Sequence, residues 1–194
     1  MTAPRTKSEV LSETAKSYLK QIAKEDFYGY STELSNKYLT KGVEMESEAI
    51  EMLNKVLFTS YEKNTERINT DILTGEADIV ATDEIIDIKC SWSLDTFPAL
   101  SSDINIKDYE MQLRGYMMLY DKPKATVTYC MVTTPEGLCM YENPSLHNVD
   151  HIEIEKRVTS YTIEKDLEIE EKIKATCIEA INFYYEYINQ LNNK

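Results

Sequence analysis

Apolar positions recur along the chain in two rhythms, and each change of rhythm marks an element. Leu11, Ala15, Tyr18 and Ile22 keep helical spacing, which predicts a helix over residues 8–24. Residues 25–40 break that period. A longer helix is expected from about residue 35 or 38 to 58, with Glu46, Ala49, Ile50, Leu53 and Leu57 on one face. Residues 64–73 alternate as a strand, with Ile68 and Ile72 on one side. Two short β-rich runs follow, 77–81 and 85–90, around a polar turn at Thr82, Asp83 and Glu84, and Gly75 suits the turn before them. Residues 91–104, with Trp92, Phe97 and Pro98, read as a loop. Residues 105–121 read as a helix on which Tyr109, Gln112, Tyr116 and Leu119 share a face. Residues 124–133 are a strong strand, 138–152 follow neither rhythm, 157–163 read as a further strand, and 166–190 as a long helix. The tyrosines of that last helix, Tyr184, Tyr185 and Tyr187, suit packing or an interface. The length fits one domain over 1–194.

Certain polar residues fall where these patterns call for apolar ones. Strand side chains alternate faces, so Asp87 and Lys89 share one face while Ile86, Ile88 and Cys90 share the other. If the turn pairs the two runs, Asp78 lies beside Asp87. Two carboxylates and an ammonium then meet on one patch of sheet. Mg²⁺ takes such hard oxygen ligands, and a lysine beside it steadies developing phosphate charge. Taken alone, Asp-x-Lys far more often marks an ordinary surface hairpin with common charges. Glu46 lies on the buried stripe of its helix, and buried carboxylates are rare unless paired or bound to metal; the plainer reading is a boundary glutamate reaching solvent. Gln112 likewise sits on an apolar line and needs hydrogen-bond partners there. Lys16, Lys20 and Lys24 form a stripe that reads as a phosphate rail or, more commonly for such runs, a solvated face.

Composition narrows the classes. The net charge of −13 argues against a general basic coat for nucleic acid, although the first 41 residues carry +2 and the remainder −15. Bound metal can offset carboxylates at a site in an acidic protein. The four cysteines, Cys90, Cys130, Cys139 and Cys177, lack zinc or iron–sulfur spacing, and His147 and His151 are not paired with them. No apolar run suits a membrane span or a secretory signal, so a cytoplasmic location is expected, with no membrane partner.

In their order these motifs resemble the PD-(D/E)XK nuclease superfamily, and within it the phage recombination exonucleases of the lambda exonuclease and YqaJ type. Gly42-Val-Glu-Met-Glu46 resembles the family's helix motif, Gly75-Glu-Ala-Asp78 its Gly-x-x-Asp strand, Asp87-Ile-Lys89 its (Asp/Glu)-x-Lys, and Gln112-Leu-Arg-Gly-Tyr116 the Gln-x-x-x-Tyr helix shared with RecB-type nucleases. The resemblance covers about residues 37–133. It departs in having Asp at position 87, in Glu-Ala before Asp78, and in an N-terminus that does not match the family's arginine and serine motif for the DNA end.

The resemblance implies an α+β fold (an α/β sandwich) with a restriction-endonuclease-like core, a central mixed sheet flanked by helices. It implies a deoxyribonuclease using one or two Mg²⁺ or Mn²⁺ ions, digesting duplex DNA from its ends, 5′→3′, in phage-type recombination, in a bacterial or phage-infected cytoplasm. Glu46, Asp78, Asp87, Lys89, Gln112 and Tyr116 are then the catalytic set. Glu46, Asp78, Asp87 and the Ile88 carbonyl are the metal ligands, Lys89 orients the nucleophile, and Gln112 positions Lys89 or the attacking water. Apart from the resemblance, the residues themselves offer three candidate DNA contacts: Arg114, off the apolar line of its helix and facing DNA or solvent; Trp92, for which packing under the loop is the plainer role; and Lys41. A strand-annealing partner and a homotrimeric ring are traits of relatives. The alternatives are an endonuclease, a RecB-type nuclease subunit of a larger complex, or an inactive DNA-binding module.

Overall fold

The computed structural model describes residues 10–32 and 36–194. The chain forms two compact units, one built on the first and last long helices, the other spanning most of residues 36–165.

In the first unit, α1 (Glu13–Tyr28) pairs with α6 (Leu167–Asn192). The Ser12 side chain caps α1 by accepting from the Ala15 N–H, and Gly29 ends it in the left-handed conformation at φ 69°. The helix therefore runs four residues beyond the expected 24, and residues 8 and 9 lie outside the described residues. Its buried positions include Ala15 and Ala23, whereas Tyr18 is exposed. Lys20 is exposed, and its ammonium lies 6.0 Å and 5.7 Å from the ring centroids of Phe183 and Tyr187 on α6. Tyr184 Oη donates to Asp26 at 2.6 Å, so that part of the tyrosine cluster packs against α1.

The second unit is a sheet between helices. Asn36 caps α2 (Lys37–Leu57) by accepting from the Tyr38 and Leu39 N–H groups. The expected strand at 64–73 shrinks to β1 (Ile68–Asn69), which pairs antiparallel with β2 (Thr74–Gly75) in a separate ribbon. Gly75 is needed for close approach: a Cβ there would sit 2.9 Å from side-chain atoms of Tyr116 and Leu119. The four-stranded sheet has the order β3 (Ile79–Val80), β4 (Glu84–Cys90), β5 (Lys124–Cys130), β6 (Val158–Glu164). Only the β4–β5 pair is parallel, so the sheet is mixed. α3 (Glu110–Tyr120) supplies the crossover, and two short helices, α4 (Glu136–Cys139) and α5 (Pro144–His147), occupy the stretch that followed neither rhythm.

Alternation along β4 assigns its faces as the sequence implied. Ile86 and Ile88 pack with Ala49, Ile50, Met52 and Leu53 of α2, while Ile85 packs with Leu113 and Met117 of α3. Burial of these side chains contributes roughly 1.5–3 kcal/mol each, enough to pin the register, because a one-residue slip would turn Asp87 into the apolar layer. All four cysteines are free thiols; burial pushes Cys90 up to about 11 and Cys130 up to about 12, which disfavours their thiolates near neutral pH. Among the described residues no helix is long and apolar enough to cross a membrane.

Candidate active site

The turn pairs β3 with β4 in the register Ile79↔Ile86, which continues to set Asp78 opposite Asp87. The Asp78 carboxylate bridges the pair, with Oδ2 accepting from the Ile88 N–H at 2.6 Å. Asp87 is 1% exposed, and Oδ1 accepts from Gln112 Nε2 at 3.2 Å. Lys89 Nζ lies 2.6 Å from Asp87 Oδ2, an ion pair without the alignment of a hydrogen bond, so that oxygen keeps unused lone pairs. Glu46 comes from α2, where Oε2 accepts from Lys63 Nζ at 2.6 Å and Oε1 is buried with no partner. Glu46, Asp78, Asp87, Lys89 and Gln112 line one open cleft of about 690 Å³. Tyr116 stands one turn behind Gln112, its hydroxyl accepting from Nε2 at 3.1 Å.

The charges of this cleft strain against one another. Burial, and then repulsion from Asp87, push Asp78 up to about 6, against the pull of the Ile88 N–H and Lys89. Burial also raises Asp87 above the usual carboxylate range, although Lys89 pulls it down. For Lys89 burial is the largest influence and acts downward, but Asp87 and Asp78 together outweigh it and hold the ammonium above its ordinary value.

A raised carboxylate pKa costs stability at high pH, because the unfolded chain releases the proton more readily. That cost is small below about pH 4, builds up as pH rises from about 4 to about 6, and is fully present above that. Asp78→Asn is therefore expected to stabilise the metal-free protein at pH 8 by on the order of 2 kcal/mol. The gain should vanish at pH 4, as read by thermal unfolding at both pH values.

The donors suit a hard divalent cation: two adjacent carboxylates, neighbouring backbone, a buried Glu46 Oε1 without a hydrogen-bond partner, and a buried Asp87 Oδ2 engaged by the Lys89 ion pair. Among the described residues no three His, Cys, Asp or Glu side chains converge into a finished cage. The Asp78–Asp87 pair is assembled, while Glu46 is turned to Lys63.

The three expected DNA contacts fare differently. Lys41 is fully buried, its ammonium surrounded by four acceptors that share its three N–H groups: the carbonyls of Ser91 (2.5 Å), Trp92 (3.0 Å) and Val132 (3.0 Å) and Thr134 Oγ1 (2.8 Å). It holds α2 to the ends of β4 and β5 and cannot reach DNA. Burial pulls it down to about 8, which leaves it charged at neutral pH. Arg114 is also buried, with Nε and Nη2 on Glu110 Oε1 and Nη1 on the Glu164 carbonyl, so it ties α3 to β6. Trp92 does line the cleft, but its indole N–H donates to Glu142 at 2.9 Å and Lys37 lies 4.6 Å from its ring. Gln112 reaches Asp87 and Tyr116 rather than Lys89.

Tyr109 and Tyr129 also line the cleft, and the sequence reading missed that role for both. Their hydroxyls bond to each other, and Lys89 Nζ lies 5.6 Å from the Tyr109 ring. The signal for Tyr109 was its place three residues before Gln112 on the same face. Tyr129 depends on the parallel register Lys89↔Tyr129, a non-local pairing.

The fold is that of the PD-(D/E)XK nuclease class. A phage-related exonuclease from Haemophilus somnus 129PT is similar over 97% of this chain and 90% of its own, at 32% identity and a TM-score of 0.90. An alkaline exonuclease from Laribacter hongkongensis, LHK-Exo, shares the fold at 14% identity and a TM-score of 0.70, covering 95% of this chain and 87% of its own. LHK-Exo in complex with dAMP superposes with a TM-score of 0.67 at 14% identity, over 92% of this chain and 83% of its own. No protein-family model matches the sequence, and no curated protein is similar enough to count as a match. The chain belongs to the phage-related exonucleases, the lambda exonuclease and YqaJ type of this class.

Proposed function

We propose that the protein is a metal-dependent exonuclease that hydrolyses phosphodiester bonds of duplex DNA from its ends, in the 5′→3′ direction, in phage-type recombination. The observation that carries this reading is the Asp78–Asp87 pair with Lys89 on the same face of β4, set in an open cleft of a phage-related exonuclease fold. The dAMP complex of LHK-Exo supports it, since dAMP is one of the mononucleotides that such digestion releases.

Asp78, Asp87 and the Ile88 carbonyl would hold one Mg²⁺ or Mn²⁺, and Glu46 would help hold a second ion or its waters. Bound there, the cation supplies positive charge against the phosphoryl oxygens and acidifies water. Lys89 directs an N–H at the attacking water and offsets charge on the pentacovalent phosphorus. Gln112 fixes the Asp87 carboxylate through Oδ1, and Tyr116 fixes Gln112 in turn. A homotrimeric ring and a strand-annealing partner belong to the same proposal; a strict monomer by gel filtration would count against the ring.

The test is digestion of 5′-phosphorylated linear duplex beside the same DNA as a closed circle, with Mg²⁺ and with chelator. Loss of the linear form alone, stopped by chelator, is the expected result. Cutting of the circle would make the protein an endonuclease, and no cutting of either form would overturn the assignment.

A further inference from the structure

The two oxygens of Glu46 are treated differently, and the difference traces to Lys63. Oε2 accepts from Lys63 Nζ at 2.6 Å, while Oε1 is buried without a partner. Lys63 lies in the irregular segment between α2 and β1, and its backbone is anchored on both sides. The Tyr61 N–H donates to Asn54 Oδ1 of α2 at 2.7 Å, and the Asn64 N–H donates to the Asp78 carbonyl at 2.8 Å. These bonds set Lys63 between the helix that carries Glu46 and the segment that carries Asp78.

Its head group is held far more loosely than its backbone. The Lys63 side chain is 47% exposed, against 29% for Lys89. The Glu46 side chain is 17% exposed, so the pair is open to solvent on the lysine side, and a long flexible side chain can leave it in that direction. The Asp87–Lys89 pair is buried deeper and stays in the cleft. Without Lys63, three carboxylates (Glu46, Asp78 and Asp87) would share the cleft with Lys89 as their neighbouring cation.

We propose that Lys63 is an internal counter-ion of the active site: it neutralises Glu46 in the metal-free protein, yields that carboxylate to an arriving divalent cation, and so sets the affinity of the site for its metal. The proposal rests on the metal-dependent reading above. It makes Lys63 a positioning residue, acting through Glu46, and it predicts an unusual sign. A merely structural lysine would weaken metal binding when removed, whereas a competing ammonium would strengthen it.

Titration calorimetry with Mn²⁺ on wild type, Lys63→Met, Lys63→Gln, Glu46→Gln and the Glu46→Gln/Lys63→Met double variant tests this. Lys63→Met and Lys63→Gln are expected to bind Mn²⁺ about three- to tenfold more tightly than wild type. Both should melt lower than wild type without metal and show a larger rise in Tm when Mn²⁺ is added. In the Glu46→Gln background, removing Lys63 should change the Kd less than about twofold, since the coupled partner is gone. Unchanged or weaker binding in both Lys63 variants overturns the proposal, as does an equal gain in both backgrounds. Wild type that cleaves DNA with an unchanged Kd in the variants sinks this inference alone. Failure of wild type and Lys63 variants alike to bind Mn²⁺ sinks the metal-dependent reading with it.

Discussion

Lys89→Ala is expected to lower the rate of DNA cleavage by about 10³-fold or more, with folding intact. The ammonium has one place in the cleft, between Asp87 Oδ2 at 2.6 Å and the face of Tyr109 at 5.6 Å. Alanine empties that position and leaves nothing to direct the attacking water or to meet charge on phosphorus. The fold should survive, because Lys89 is partly exposed and the β4–β5 pairing beneath it is made by backbone. Lys89→Arg should not restore activity, since a planar guanidinium cannot take the place of a compact ammonium between a carboxylate and a ring. The measurement is the initial rate on linear duplex with Mg²⁺, beside circular dichroism and Tm. Activity near wild type in Lys89→Ala would remove the mechanism proposed for this site.

The second large effect concerns stability. Lys41→Met is expected to lower stability by about 3 kcal/mol or more, read as the shift of the denaturation midpoint at constant slope. Methionine fills similar volume but donates nothing, so three carbonyls and a hydroxyl lose the ammonium that gathers them. Thr134 Oγ1 can still donate to the Trp92 carbonyl at 2.9 Å, but the Ser91 and Val132 carbonyls have no such replacement at hand. Lys41 lies just over one turn before Glu46 on α2, so loosening it should also displace Glu46. Cleavage is then expected to fall even in molecules that remain folded. A midpoint within experimental error of wild type would show that the four acceptors find other donors.

Lys41 and Lys63 show what kind of information was missing from the sequence. Position along a helix or coil does not tell a buried ammonium from a solvated one. What separates them is where Ser91, Trp92, Val132 and Thr134 end up relative to α2, and that follows from the crossover between β4 and β5. Arg114 misled for the same reason. It lies off the apolar line of α3, yet β6 packs close enough to bury it against the Glu164 carbonyl. The strand expected at 64–73 failed for a different reason: alternation was present, but only two residues on each side find a pairing partner.

The sequence alone determined the local chemistry. A period of two put Asp87 and Lys89 on one face of β4, a polar turn at 82–84 paired Asp78 with Asp87, and helical spacing set Gln112 beside Tyr116 and Glu46 on the α2 stripe. These relations span at most ten residues and follow from backbone geometry. The tertiary structure decided everything that needs distant segments to meet. It brought Gln112 to Asp87, Tyr129 beside Lys89, Lys63 onto Glu46, and Lys41 into its cage of acceptors. Such contacts depend on sheet order and helix packing, which are fixed by the sum of many apolar burials rather than by the residues that meet.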